Sequence, residues 1–257
     1  MTAGHRPALA PARASARIEG VLFDIDDTLV DFTGAAHRAL SDAVRRHLGE
    51  VPETDVIAAW TQVAEPGYAR FTSGELGFAE MLTERTKAFV VALAHPDATT
   101  DIHVAIENDR TGRIFDHYRL FDDVRPELRR LRAAGLRVGA VSNSDGAYQR
   151  RKLATVGLAD EFDAAVFSGD LGVAKPDPAI FLAGTAALGT EPDRTVYVGD
   201  RWDLDAQGAL AAGLLPVWLD RRSVGAPAAE PRIARIVGLT ELADALLQLS
   251  AALPGRP

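Results

Sequence analysis

Asp24 and Asp26 stand two residues apart directly after the apolar run Gly20-Val21-Leu22-Phe23, and Asp200 and Asp205 follow a second such run, Thr195-Val196-Tyr197-Val198. Four carboxylates delivered to one place repel strongly unless a cation joins them. An all-oxygen donor set of this kind suits Mg²⁺, which keeps several waters and usually shares a substrate phosphate. A calcium-binding EF-hand is the obvious competitor, and both of its frames fail. Counted from Asp24, the sixth position is Leu29 where glycine is needed, and the twelfth is Ala35 where glutamate is needed. Counted from Asp203, Gly208 fits the sixth position but Leu214 fails at the twelfth. The six histidines are scattered without metal-ligand spacing and read as surface or packing residues.

Short apolar strands must carry these acids. Gly20–Phe23, Arg137–Val141, Ala164–Phe167, Thr195–Val198 and Leu215–Leu219 each read as a buried strand ending in a polar turn. Helical stretches lie between them: Pro126 to Ala134 closed by Gly135, Pro178 to Leu188 closed by Gly189, and Asp205 to Ala212 closed by Gly213. The alternation predicts the α/β class, a Rossmann-like doubly wound parallel sheet, with ligands beyond the carboxyl ends of the strands. Residues from about Thr33 to Tyr118 differ. Leu40, Val44 and Leu48 keep the helical period, as do Met81, Leu82, Phe89 and Leu93, and no strand pattern interrupts them. This stretch is expected to be an inserted all-helical cap, 33–118, with Trp60 and Phe89 in its core. The α/β core is then expected at 18–32 and 119–250, with residues 1–17, rich in Ala, Pro and Arg, as a disordered tail.

Composition narrows the class further. The 257 residues carry 28 Lys+Arg against 36 Asp+Glu, a net charge of −8, so nucleic acid is not an expected partner. No cysteine is present, which removes disulfides, thiolate metal sites and cysteine nucleophiles. No apolar run reaches the roughly 18 to 20 residues of a membrane span, and no secretory leader is evident, so a cytoplasmic protein without membrane contact is expected.

Phe23-Asp24-Ile25-Asp26-Asp27-Thr28-Leu29 resembles the first motif of the haloacid dehalogenase-like (HAD) hydrolase superfamily. Val141-Ser142-Asn143 resembles its second motif, Lys175-Pro176 its third, and Gly199-Asp200-Arg201-Trp202-Asp203-Leu204-Asp205-Ala206-Gln207-Gly208-Ala209 its fourth. All four occur in the family's order over residues 18 to 220, and the helical insertion falls where the type I (C1) caps of subfamily I fall.

The resemblance implies a role for each residue. Asp24 would be the nucleophile that forms an aspartyl-phosphate, and Asp26 the general acid and base. Ser142, Asn143 and Lys175 would hold the phosphoryl group, with Lys175 neutralising charge. Asp24, Asp26 through its backbone carbonyl, Asp200 and Asp205 would serve a Mg²⁺ ion, with Asp205 supporting its waters or orienting Lys175. Thr28 would brace the loop. Arg201 and Leu204 depart from the family's typical fourth motif, which leaves Arg201 and Asp203 as open contributors. Tyr68, Arg70, Phe71 and Arg85 are cap candidates for reading the leaving group.

The expected function is a Mg²⁺-dependent phosphatase acting on a small phosphorylated metabolite, with a homodimer left open. The alternatives are a phosphomutase of the β-phosphoglucomutase type, a 2-haloacid dehalogenase and a non-catalytic phospholigand-binding module. Asp26 weighs against the dehalogenase, because halide departure needs no general acid.

Overall fold

The computed structural model describes residues 18–72, 75–225 and 230–253. The tail expected at 1–17 lies outside the described residues, as do the side chains of Tyr68 and Phe71. The chain divides into two compact units. One holds the described residues up to Leu29, Asp122–Arg150 and Leu158 onward; the other holds Val30–Phe121 and Arg151–Gly157. No helix of the described residues is long and apolar enough to cross a membrane.

The first unit is built on six parallel strands: β1 (Gly20–Phe23), β2 (Arg137–Ser142), β3 (Ala164–Phe167), β4 (Thr195–Gly199), β5 (Leu215–Leu219) and β6 (Ala234–Ile236). Their order is β3-β2-β1-β4-β5-β6. β1 and β4 are buried throughout, as parallel strands covered on both faces must be. From β1 the connections first run outward through β2 and β3, then return to β4 on the other flank. That reversal is the switch point where open α/β sheets open a crevice. The register fixes what reaches it. Phe23 lies opposite both Ala140 and Val198, so Asp24 emerges one residue past a common level, and Ser142 and Asp200 two past it.

Helices α5 (Val124–Ala133), α6 (Gly146–Thr155), α7 (Ser168–Leu171), α8 (Pro178–Leu188), α9 (Gln207–Ala211) and α10 (Leu242–Ala252) follow the strands, α6 running past Arg150 into the second unit's residues. The bounds of α8 repeat its sequence signals. Asp177 accepts the Ala179 N–H at 2.9 Å, Pro178 occupies the first turn, and Gly189 closes the helix at φ 69°, a conformation costly to residues with a Cβ. Its Ile180, Phe181 and Leu188 pack with Leu22, Val141 and Tyr197 into a core on one face of the sheet.

Two local readings change. The helix expected from Asp205 begins three residues earlier, as a wide π-type turn over Trp202–Ala206 that leads into α9. Trp202 stacks edge-on to Trp218 at 5.2 Å there, and the same turn points Asp205 inward. Strand β6 carries no sequence signal, because it is three residues long with an exposed Arg235, too short for a periodic pattern.

The second unit is helical: α1 (Phe32–Leu48), α2 (Glu53–Thr72), α3 (Phe78–Ala92) and α4 (Thr100–His117). Asp31 caps α1 by accepting the Gly34 N–H at 2.9 Å, and Arg45, Arg46 and His47 suit its C-terminal dipole. Leu40, Val44, Val56, Phe89, Val90 and Ile106 form its own core, with Trp60 edge-on to Phe89 at 5.4 Å. Arg85 is neither a solvated residue nor a free one. Its side chain is 10% exposed, pairs with Glu107 and lies 4.6 Å over Trp60. Arg70 pairs with Glu75 and Glu84.

Gly139 shows how tightly the sheet is built. A Cβ there would lie 2.8 Å from Leu22 and 2.9 Å from the Ala164 carbonyl oxygen. Gly139→Ala is therefore expected to lower stability by roughly 1–3 kcal/mol, the usual cost of overpacking. Chemical denaturation of the variant and the parent checks this, and equal midpoints would contradict it.

Candidate active site

Asp24 continues β1, its N–H bonded to the Val198 carbonyl at 2.9 Å, and its side chain is buried. Beyond it the chain turns sharply. Asp27 takes φ 57°, which Asp tolerates better than most residues, and the Leu29 N–H closes onto the Ile25 carbonyl at 2.9 Å. Buried Thr28 braces this loop, since its carbonyl accepts from Arg221 at 2.9 Å and Arg221 is gripped in turn by Asp123.

Lys175 is the centre of the site. Its Nζ donates to Asp24 Oδ1 and Asp205 Oδ1, both at 2.6 Å, and to the Tyr197 hydroxyl at 3.1 Å. Lys175 and Asp24 are 6% exposed, Asp205 and Tyr197 not at all. Asp205 is held through both oxygens, because Oδ1 also receives the Tyr197 hydroxyl (3.1 Å) and Oδ2 the Arg201 backbone N–H (2.9 Å). The peptide bond Lys175–Pro176 is cis. The lysine's own backbone is held by Asn143, whose Oδ1 accepts the Lys175 N–H at 2.7 Å while Nδ2 donates to the Lys175 carbonyl at 2.9 Å. The amide side chain of Asn143 thus serves the lysine.

Asp24, Asp200 and Asp205 bring carboxylate oxygens within 4.8 Å of one another, the only metal-capable cluster among the described residues. Asp200 follows β4 and is anchored by its carbonyl, which accepts from Trp218 Nε1 at 2.8 Å. Asp26 stands apart from that cluster. Its Oδ2 accepts from Gln149 Nε2 at 2.8 Å, and the same nitrogen donates to Ser142 Oγ at 2.8 Å. Asp203 pairs with Arg201 at the surface and is not in the cluster.

The electrostatics follow from burial. Removal from water pushes the Asp24 carboxyl up to about 7; Lys175 opposes this, while Asp205 and Asp26 add to it. Burial likewise lifts Asp200 to about 8, reinforced by Asp24, Asp205 and Asp27. For Lys175, burial alone would favour the neutral amine, but Asp205 and Asp24 overcome it and hold the ammonium well above its ordinary range. One lysine among three acids leaves an excess of negative charge, which an oxygen-seeking cation would neutralise.

Two participants, Tyr197 and Gln149, lie outside the motifs read from the sequence. Tyr197 lies inside the fourth strand's apolar run, and a buried phenol that must find a partner was the available signal. Gln149, one turn into α6, carries no sequence signal.

The haloacid dehalogenase-like hydrolase family model matches residues 18–213, and the chain belongs to that family. It is 32% identical over 206 residues, 79% of this chain and 84% of the relative, to the glyceraldehyde 3-phosphate phosphatase of Methanopyrus kandleri. A phosphoserine phosphatase of Thermus thermophilus is 28% identical over 226 residues, 78% of this chain and 88% of that one. The crystal structure of the HAD-hydrolase YfnB of Bacillus subtilis, bound to magnesium, has a TM-score of 0.72 at 23% identity, covers 90% of this chain and 99% of that one, and shares the fold.

The raised carboxyls carry a sign for stability. Asp200 binds its proton more tightly when folded, so the native state holds more protons than the unfolded chain between the ordinary carboxylate range near 4 and about pH 8. Stability from this site therefore falls as pH rises through that window. In chelator, Asp200→Asn is expected to melt several degrees above the parent at pH 8, with a smaller gap at pH 5. Melting curves at both pH values test this; a gap that narrows toward pH 8 would contradict it.

Proposed function

We propose that the chain is a Mg²⁺-dependent phosphatase that hydrolyses a small phosphorylated metabolite through an aspartyl-phosphate on Asp24. The observation that carries this reading is the separation of two carboxylates two residues apart. Asp24 is buried against a lysine within an acidic cluster, whereas Asp26 accepts from Gln149 and is not part of that cluster. A nucleophile and a proton carrier need such different surroundings.

In the first step an Asp24 oxygen bonds to phosphorus as the ester oxygen leaves, and Asp26 gives that oxygen a proton. In the second, water bonds to phosphorus, its proton passes to Asp26, and the Asp24–phosphorus bond breaks to release inorganic phosphate. Lys175, oriented by Asp205 and Tyr197, offsets charge on Asp24 and the phosphoryl group. The Ser142 hydroxyl and the backbone at Asn143 hold phosphoryl oxygens. The donor set fits a hard divalent cation, with Asp24, Asp200 and Asp205 as candidate holders together with the backbone carbonyl of Asp26. Bound Mg²⁺ would supply positive charge to a phosphoryl oxygen.

Halide departure requires no proton and would leave Asp26 without a task. Residues 33–118, read as the C1 cap, supply substrate selectivity, and the protein works on soluble substrate in the cytoplasm. The two phosphatase relatives are named for three-carbon phosphomonoesters, so both of those compounds belong in the search.

Phosphate release from a panel containing glyceraldehyde 3-phosphate, phosphoserine, phosphoglycolate, sugar phosphates, nucleotides and 4-nitrophenyl phosphate tests this reading. Release is expected with Mg²⁺, and its loss with chelator. Asp24→Asn is expected to reduce turnover by at least about a thousandfold with the fold intact by circular dichroism. Turnover by Asp24→Asn at the parental rate would overturn the covalent role. Silence on the whole panel would favour a phosphomutase or a ligand-binding module.

A further inference from the structure

Gln149 is wholly buried, and its side-chain nitrogen bridges two residues from different strand ends. Nε2 donates to Asp26 Oδ2 on the loop after β1 and to Ser142 Oγ at the end of β2, both at 2.8 Å. Its Oε1 is buried without a partner among the described residues. An unsatisfied buried acceptor is a standing cost that an apolar side chain of the same volume would avoid, so packing does not explain the amide. The nitrogen must face Asp26, because the opposite flip would set Oε1 against a carboxylate oxygen.

We propose that Gln149 is a positioning residue for both the proton-transferring carboxyl of Asp26 and the phosphoryl-holding hydroxyl of Ser142. The inference rests on the phosphatase reading. Asp26 sits on the loop after β1, and a general acid works only within hydrogen-bond reach of the leaving oxygen, so the aim of its carboxyl matters. The bond from Nε2 fixes one of its oxygens. Ser142 Oγ accepts from the same nitrogen, so its own proton must point away from Gln149 and is available to an anionic oxygen. Gln149 keeps its place because α6 is anchored at its start. Asp145 accepts the Tyr148 N–H at 2.8 Å, and its carbonyl accepts the Gln149 N–H at 3.0 Å.

The test separates aiming of the acid from general damage. An alkyl phosphate needs a proton on its leaving oxygen, whereas 4-nitrophenolate leaves readily without one. For parent, Gln149→Met and Gln149→Glu, kcat/KM is measured on 4-nitrophenyl phosphate and on the best alkyl phosphate of the panel. This ratio reports the steps up to ester cleavage. Misaimed Ser142 lowers both substrates alike; misaimed Asp26 adds a loss for the alkyl ester alone. The expected result is an alkyl loss exceeding the aryl loss by about tenfold or more, within the range general acids contribute. Because both rates come from the same preparation, the comparison holds for the folded fraction even if one variant is unstable, and Gln149→Glu preserves side-chain shape. Equal losses, or none, would overturn the inference while an active parent keeps the phosphatase reading. A parent silent on both esters would overturn that reading and this inference with it.

Discussion

The ammonium of Lys175, shared between the buried carboxylates of Asp24 and Asp205, is the constraint on which the rest of the site depends. Taking such charges out of water costs several kcal/mol per ion, and their attraction repays it only when every remaining donor and lone pair is also met. The surrounding residues supply much of that pairing. Tyr197 accepts the third lysine hydrogen, Arg201 gives its backbone N–H to Asp205, and Asn143 clamps the lysine's own peptide groups. Removing one partner would leave a buried charge uncompensated, so the group behaves as a unit.

That unit places demands on the backbone around it. A Cβ at Gly199 would come within 2.4 Å of Asp205 Cγ, so glycine before Asp200 is a condition for bringing Asp205 against the lysine. A Cβ at Gly208 would meet Phe181 at 2.8 Å and Pro176 Cα at 3.1 Å, which ties α9 closely to the chain beside the lysine. Behind the acids, Trp218 holds the Asp200 carbonyl, and the Asp123–Arg221 pair holds that of Thr28. Polar side chains from five strand ends and their loops are thus tied to a rigid sheet, as precise positioning requires.

The helical unit follows a different physical plan. Glu107 accepts from Arg85, Arg110 and Thr86, and both arginines lie over Trp60 beside the apolar core. Arg85, a natural candidate for reading a substrate when seen as a lone cation in a helical pattern, is committed to this network. A formal charge in a sequence says nothing of the partner that has already claimed it.

Local chemistry explains why so much was legible in the chain itself. The strands at 20–23, 137–142, 195–199 and 215–219 announce themselves because parallel strands buried on both faces must be apolar, that at 164–167 is a short apolar run although partly exposed, and the acids stand at strand ends because an α/β sheet opens its crevice there. Asp24, Asp26, Ser142 and Asp200 are therefore readable as candidates from type and position, whereas Lys175 is marked only by the resemblance of Lys175-Pro176 to the family's third motif. What the tertiary structure decided was which side chain meets which. Gln149 reaches Asp26 across 123 positions, and Lys175 reaches Asp24 across 151, distances over which no periodicity carries information. The commitment of Asn143 to the lysine backbone, the inward turn of Asp205 and the partnering of Tyr197 are likewise results of packing. The sequence alone determined the inventory of chemical groups and the strand ends that present them; the three-dimensional contacts divided those groups into a charged cluster around Lys175 and a separate hydrogen-bonded pair around Gln149, because burial leaves no polar group free to choose water instead.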